Sequence, residues 1–514
     1  MRSLLAAAGL GVLHGLSFDV ASGWWLQLAA MAAFVFLTTS IVDARRSALA
    51  LRAAAFALCS AFVALAWIHG TLAQTSGLGG PLAFFTVLAV ASVMAGLPAA
   101  TLWIGTMCAA TARLVTGAGW VAILFGAGEL LRLAILSGFP WQCVGDLYVD
   151  TPLAALFPWV GVHGVSTVAV WIAAILGLSV RDAITRSSGR HAAVATMAAL
   201  ALTASVIGVA KNAYEPKLSG APLRAVVAQP ATSMGEKFSS GRWRAAVMKI
   251  AADASHANAD LIITPETVIP TTWAQVTTPV ADAVTSLVAN SNATVLLGMY
   301  EADPEGHTFN AAVTLKRSAA GLVDTSPTMS SYRKRQLMPF GEYTPWGMQW
   351  FVDLLQMPGR SLTASIGGAE QLSAGGVAFR PTICLEIFIG NGLTAVPDKI
   401  GFITNQSNFV WTNTLVPQRQ LLAAAQARAL EQRKPVLLAG NNGPSGLIGQ
   451  DGRVLALLPP GKAGMLTITL VPQFSATPYG RFGDMLIFIV WCLSFALALV
   501  TQNWRRRLSA LQSH

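Results

Sequence analysis

Three short segments carry residue types suited to thiol-based acyl transfer. Cys384 lies in Arg-Pro-Thr-Ile-Cys-Leu-Glu-Ile (380–387), an apolar strand pattern broken by one thiol and one carboxylate. Glu266 lies in Leu-Ile-Ile-Thr-Pro-Glu-Thr (261–267), and Lys334 in Tyr-Arg-Lys-Arg-Gln-Leu-Met-Pro-Phe-Gly-Glu (332–342). A thiol is mostly protonated at neutral pH and attacks a carbonyl only with help from a base or a cationic neighbour. A carboxylate can take the proton. An ammonium can stabilise the oxyanion that then develops. Each residue alone says little: a Glu after Pro is common at strand ends, and Lys334 between Arg333 and Arg335 reads equally as a solvated basic turn. The histidines form no pair at metal-ligand spacing, and Cys59, Cys108, Cys143, Cys384 and Cys492 form no CxxC pair, so neither a metal nor another cofactor is expected.

The elements that position these residues belong to two kinds of chain. Of the 514 residues, 54% are hydrophobic and 11% charged, against about 25% charged in a typical soluble domain. The mean hydropathy of +0.55 points to an integral membrane protein. Residues 1–210 and 485–503 are long apolar runs, whereas 211–480 has the composition of a soluble domain. A span needs roughly 20 apolar residues. The runs at 3–17, 22–42, 50–72, 82–111, 115–136, 163–181, 191–210 and 485–503 predict about eight spans, the first one short. Another span follows the first run at once, so it reads as a retained helix rather than a cleaved leader.

With the N-terminus inside, the loops 43–47, 112–114 and 181–190 face the cytoplasm and hold Arg45, Arg46, Arg113, Arg181, Arg186 and Arg190. The opposite loops, 18–21 and 73–81, hold no Lys or Arg, and Arg505 to Arg507 also fall inside. This follows the positive-inside bias and predicts an extracytoplasmic, periplasmic side for 211–484. The same arginines account for much of the +10 net charge. With no basic–aromatic module in view, nucleic acid is not an expected partner. In 137–162, Pro-Trp pairs at Pro140-Trp141 and Pro158-Trp159 suggest an arm along the membrane surface.

Within 211–484, apolar runs at 223–229, 260–264, 293–300, 309–316, 377–387, 400–404, 435–440 and 464–471 predict strands. Helical spacing appears at 240–258, 277–290 and 417–434. Strands alternating with helices imply a layered α/β domain. Gln450-Asp451-Gly452-Arg453 reads as a hairpin turn. The predicted organisation is a helical membrane region (1–210, arm at 137–162), an α/β domain (211–484), and a last span with a basic cytoplasmic tail (485–514).

Taken together, Pro-Glu-Thr at 265–267, the run 334–342 and Ile-Cys-Leu-Glu at 383–386 resemble the nitrilase superfamily, whose active site is Glu, Lys and Cys in this order. The membrane frame makes the whole chain similar to the bacterial apolipoprotein N-acyltransferase family. That resemblance includes Glu129 and Arg132 before Gly138-Phe139-Pro140-Trp141, Pro158 before Gly161-Val162, and Phe340-Gly341-Glu342. It continues through Arg428-Ala429-Leu430-Glu431, Asn441-Asn442-Gly443 and Thr477-Pro478-Tyr479-Gly480-Arg481. It implies an αββα sandwich for the α/β domain, with Cys384 as nucleophile, Glu266 as general base, Lys334 as oxyanion stabiliser, and Glu342 and Glu386 in support. It further implies a ping-pong reaction through a thioester. The acyl donor is a phospholipid, the acceptor the N-terminal diacylglyceryl-cysteine of a lipoprotein, and the site the bacterial inner membrane. A monomer is the default expectation.

Met338, Phe340, Tyr343, Trp346, Met348, Trp350 and Phe351 would form a lid touching lipid; the alternative is ordinary core packing. The chain also departs from the family pattern. Leu385 stands where a Tyr follows the nucleophile, Phe238 where a Trp follows Lys237, Gln418 in place of a His, and Asn405-Gln406-Ser407-Asn408-Phe409-Val410 in place of Asn-Asp-x-Trp-Phe-Gly. Phe238, Leu385, Phe340, Tyr343, Trp346 and Asn405 are therefore the substrate-side candidates. Two other readings compete: a paralogue of the conjugal-transfer type acting on another amide or ester, and a non-catalytic membrane scaffold.

Overall fold

The computed structural model describes residues 1–40, 45–76, 79–135, 140–185, 189–213, 220–238, 241–291, 293–317, 323–324, 330–354, 361–367, 370–394, 397–412 and 414–496. The chain forms two compact units. One comprises Met1–Leu65, Leu88–Tyr214 and Phe482–His514; the other comprises Ala66–Val87 and Glu215–Arg481.

In the first unit the apolar runs are helices. Among the described residues five are long and apolar enough to cross a membrane: Arg46–Ala64, Gly80–Thr111, Leu114–Leu133, Pro152–Thr185 and Ala192–Lys211. Arg2–Leu16, Trp24–Thr39 and Met485–Ala496 are shorter apolar helices. With lipid on one side, helices gain from close backbone approach at small residues. Gly11 and Gly15 supply it: a Cβ on Gly11 would lie 2.3 Å from the Phe56 carbonyl oxygen, and one on Gly15 2.6 Å from that of Ser60. Gly177 lies as tightly against the Ala32 carbonyl.

Two segments differ from expectation. The run 50–72 is not one helix: Arg46–Ala64 ends at Leu65, and Trp67–Ser76 is a separate helix belonging to the α/β unit. The break falls where the run acquires His69, Gly70, Thr71 and Gln74, and where Trp67 finds a partner in Trp411, ring centroids 5.6 Å apart. The predicted arm is described from Pro140 onward. It folds into 3₁₀ turns at Val144–Tyr148 and Pro152–Leu156, with Trp141, Tyr148 and Leu153 buried in the helical unit. Tyr148 donates to the Gln27 side-chain oxygen at 2.6 Å. The segment 136–139, Arg186 and the basic tail lie outside the described residues.

The second unit contains strands β1 (Leu223–Gln229), β2 (Leu261–Ile263), β3 (Ile269–Thr272), β4 (Thr294–Ala302), β5 (Thr308–Arg317), β6 (Val323–Asp324) and β7 (Ser331–Arg333). It continues with β8 (Leu372–Ala374), β9 (Val377–Ile383), β10 (Phe402–Ser407), β11 (Val436–Gly440), β12 (Gly446–Ile448), β13 (Val454–Leu457) and β14 (Gly464–Leu470). One sheet runs β14-β1-β2-β4-β5-β6, with β3 on β4 and β7 on β5; the other runs β13-β12-β11-β10-β9-β8. Alternation along each strand serves two cores. In β1, Val226 and Ala228 face the helices Arg242–Ala254 and Thr278–Ser291, while Leu223, Ala225 and Val227 face the second sheet. Phe379, Ile383, Phe402 and Leu437 meet them from β9, β10 and β11. The helix Val416–Gln432 packs on β11 and β12. The order of layers is helix, sheet, sheet, helix: the nitrilase-like α/β sandwich implied by the resemblance.

Overpacking a tight contact costs about 1–3 kcal/mol. Gly11→Leu is therefore expected to lower the thermal unfolding midpoint of the detergent-purified protein by several degrees. Gly9→Leu is the control, since a Cβ there meets nothing within 4 Å. Equal midpoints for the two variants would refute this packing.

Candidate active site

The strand-end residues converge. β2 ends at Ile263, and the turn Thr264–Thr267 carries Glu266 inward, where it is 7% exposed. β7 ends at Arg333 and delivers Lys334, 1% exposed, so the solvated basic turn is excluded for this residue. β9 ends at Ile383, and Cys384 opens a 3₁₀ turn with a backbone φ of +52°. The predicted strand 377–387 is therefore cut short by the turn that Cys384 opens. Thr267 (φ +45°) and Phe340 (φ +62°) are likewise in the left-handed region, which non-glycine residues occupy at a cost and which clusters at functional sites.

The Lys334 ammonium lies 3.1 Å from Glu266 Oε1 and 2.8 Å from Glu342 Oε2. Asn310, on β5, donates through Nδ2 to the same two carboxylates at 2.8 and 2.7 Å. The Met338 backbone N–H donates to Glu342 Oε2 at 2.7 Å, and the Lys334 N–H to the Asn310 carbonyl at 2.8 Å. Glu342 is thus a direct partner of the lysine. Glu386 acts differently: its carboxylate accepts from the backbone N–H groups of Ile383, Arg335 and Gln336 and from the Tyr332 hydroxyl, at 2.7–3.1 Å. It ties the turn bearing Cys384 to the turn bearing Lys334.

Other residues hold the Glu266 turn. Lys237 donates through Nζ to the Glu266 carbonyl (3.1 Å) and the Thr267 hydroxyl (2.6 Å). Gln406, on β10, donates to the Thr264 carbonyl at 2.7 Å. Gly298 on β4 is required by close approach: a Cβ there would sit 2.2 Å from the Pro265 carbonyl oxygen. Asn405 donates to the Cys384 carbonyl at 3.1 Å and the Thr382 hydroxyl at 2.9 Å, so it supports the backbone at Cys384. Sequence reasoning did not single out Asn310, Lys237 or Gly298 for the site. The one available signal is a lone Asn inside the apolar run 309–316.

The substrate-side candidates separate. Leu385 is buried beside Cys384. Phe340 and Tyr343 are half-buried, joined by a 2.8 Å bond from the Phe340 N–H to the Tyr343 carbonyl. Trp346 is fully exposed and Trp350 62% exposed, so the core-packing alternative fails for both. The segment returns over the lysine: the Ser365 N–H donates to the Lys334 carbonyl at 3.0 Å, and the Leu362 N–H to that of Glu342 at 2.8 Å. The side chains of Phe238 and Phe351 lie outside the described residues.

Electrostatics dictate how such a site reacts. Burial pushes the Cys384 thiol well up, the Glu266 charge pushes it further, and the Lys334 charge offsets part of this. Burial pulls the Lys334 ammonium down, but Glu266 and Glu342 outweigh it and hold the group well above the ordinary lysine range. Burial raises Glu386, with the Arg335 and Ile383 amides opposing. Two carboxylates against one ammonium disfavour a free thiolate at rest. Loss of the thiol proton to Glu266 would remove the larger of the two repulsions, leaving Glu342 to oppose and Lys334 to favour the new negative charge. The arrangement suits attack coupled to proton transfer, followed by stabilisation of an oxyanion.

The carbon-nitrogen hydrolase family profile matches residues 225–478. The profile described as apolipoprotein N-acyltransferase N-terminal domain matches residues 10–175. The chain is similar to apolipoprotein N-acyltransferase of Bordetella bronchiseptica, with 31% identity over 94% of this chain and 93% of that one. It is also similar to apolipoprotein N-acyltransferase of Ralstonia nicotianae, with 27% identity over 93% and 89%. Among solved structures, a CN-hydrolase superfamily protein from Xanthomonas campestris aligns with 49% of this chain and 91% of its own, at 15% identity and a TM-score of 0.37.

The raised thiol yields a prediction. Alkylation of Cys384 in the resting protein should keep rising with pH, without the plateau of an ordinary thiol near a pKa of about 8.5. Glu266→Gln removes the repelling charge and should accelerate alkylation at neutral pH, although it removes the base. A profile with an ordinary inflection, unmoved by Glu266→Gln, would contradict this electrostatic account.

Proposed function

Because this chain belongs to the apolipoprotein N-acyltransferase family of the nitrilase superfamily, we propose that it N-acylates lipoproteins by a ping-pong route through a thioester on Cys384. It is a membrane protein and an acyltransferase. In the first half-reaction Cys384 Sγ bonds to the ester carbonyl of a phospholipid as Glu266 takes the thiol proton. Lys334 bears the charge on the carbonyl oxygen. The C–O bond then breaks, and the lysophospholipid leaves as an alcohol carrying the proton back from Glu266. In the second half, the free α-amine of a diacylglyceryl-cysteine attacks the thioester carbonyl. Glu266 accepts the amine proton, the C–S bond breaks, and the proton returns to the sulfur. Neither half consumes another reactant, and one acid–base residue serves both.

The observation that carries this reading is the buried lysine bonded to both Glu266 and Glu342. A cation placed there supports a transient oxyanion twice per cycle. The exposed Trp346 and Trp350 lie twelve or more residues beyond Lys334 on the same connection. They are suited to contact acyl chains, since indole rings favour the boundary between apolar and wet surroundings. We assign the reaction to the periplasmic side of the bacterial inner membrane, on the distribution of arginines.

The test is transfer of a radiolabelled acyl chain from phospholipid to a synthetic diacylglyceryl lipopeptide in detergent. Cys384→Ala should abolish transfer, and Lys334→Met should lower it by roughly 10²–10³-fold, the usual cost of an oxyanion donor. Full transfer by Cys384→Ala would sink the proposal. If the wild type is folded but transfers nothing to the lipopeptide, the conjugal-transfer type of paralogue becomes the better reading.

A further inference from the structure

Outside the catalytic pocket the helical unit buries a second group of reactive side chains. Glu129 lies on the helix Leu114–Ile135, Cys143 begins the 3₁₀ turn Val144–Tyr148, and His163 follows Gly161 in the helix Phe157–Thr185. All three are buried, and one ligand atom from each (a carboxylate oxygen, the sulfur and a ring nitrogen) lies within 4.8 Å of the other two. They are far apart in sequence. Only the kink at Gly161, with φ +63°, and the turn at Cys143 bring them together.

Glu129 Oε1 accepts from the Val144 N–H at 2.8 Å. Oε2 receives no hydrogen bond from the described residues, and His163 Nδ1 stands 3.8 Å away. That separation is beyond a hydrogen bond. Nitrogen and oxygen ligands on one tetrahedral zinc ion, with bonds of about 2.0–2.2 Å, stand about 3.3–3.5 Å apart, so an ion between these two atoms would draw them together by a few tenths of an ångström. Arg132, one turn on, directs its guanidinium to the Trp141 and Gln142 carbonyls at 2.6 and 3.1 Å. A buried carboxylate oxygen without a donor is costly. A cavity of about 30 Å³, lined by His14, Ser60, Glu129, Arg132 and Gln142, adjoins the carboxylate. This is room for a water, which needs about 10–15 Å³.

We infer that Glu129, Cys143 and His163 form a site for a divalent transition-metal ion of the zinc type, with a water from this cavity as fourth ligand. One thiolate, one imidazole and one carboxylate are zinc donors, whereas magnesium and calcium take oxygen alone. Binding would release the Cys143 proton, and a dication with one thiolate and one carboxylate is neutral in itself, leaving the Arg132 guanidinium on the Trp141 and Gln142 carbonyls as the remaining charge beside it. The ion would staple two helices to the turn between them. The backbone there is already tight: the Gly145 N–H donates to the Ser166 hydroxyl at 2.7 Å, and a Cβ on Gly145 would meet the Val162 carbonyl at 2.3 Å.

The experiment uses full-length protein, purified in detergent with a histidine-free tag, loaded with Zn²⁺ and dialysed. Stoichiometric zinc is expected, falling about tenfold or more in Cys143→Ser and His163→Gln and unchanged in Cys384→Ala. X-ray absorption at the zinc edge of the unmodified protein should report one sulfur among nitrogen and oxygen ligands, which decides the matter even where a variant does not fold. Metal-free wild type after loading, an all-nitrogen-and-oxygen shell, or full retention of zinc by both variants would each overturn the site.

Discussion

The α/β unit is organised around one buried positive charge. Lys334 is almost wholly removed from water, and such an ammonium persists only if paired and hydrogen-bonded. Glu266 and Glu342 supply the pairing, and Asn310 bridges the two carboxylates. Removing Lys334 would leave two buried carboxylates without a counter-charge, and removing Asn310 would leave both short of a donor, so the strand ends that bear these residues are bound to one another. The same charges set the protonation of the thiol beside them. The two carboxylates hold the lysine protonated and the thiol neutral; a thiol proton passed to Glu266 would leave only Glu342 opposing the charge on sulfur, with Lys334 favouring it.

Around that centre the supporting contacts are mostly backbone. Glu386 gathers three N–H groups and a phenol, joining the turn at Cys384 to the turn at Lys334. Lys237 holds the backbone carbonyl of Glu266 itself, and Gln406 that of Thr264. Gly298 lets β4 pass beneath this turn. Fixing carbonyls and amides rather than side-chain tips sets the geometry before substrate arrives, which is what orientation-dependent catalysis needs. The helical unit follows similar logic, with Glu129 and Arg132 satisfying backbone groups of Val144, Trp141 and Gln142.

Much of this was legible in the residues. Apolar runs located the long strands to within a few positions, and Glu266, Lys334 and Cys384 stood out as polar residues at or near the ends of such runs. The short strands β3, β6, β7 and β8 were missed because two to four residues carry no readable alternation. Asn310 was missed because a single polar residue in a strand looks like noise until a carboxylate appears beside it. The run 50–72 misled because hydropathy does not register that Trp67 packs on Trp411. Glu129, Cys143 and His163 share no spacing motif; a turn and a glycine kink unite them, and neither is visible in composition. The exposure of Trp346 likewise belongs to the folded connection, not to its residue type.

The most direct measurement is intact-protein mass spectrometry after incubation with a single phospholipid species and no acceptor. The account predicts one added acyl mass on the wild type, labile to hydroxylamine, mapping to Cys384 and missing from Cys384→Ala. A protein that transfers acyl chains without forming that adduct, or an adduct that persists in Cys384→Ala, would contradict it.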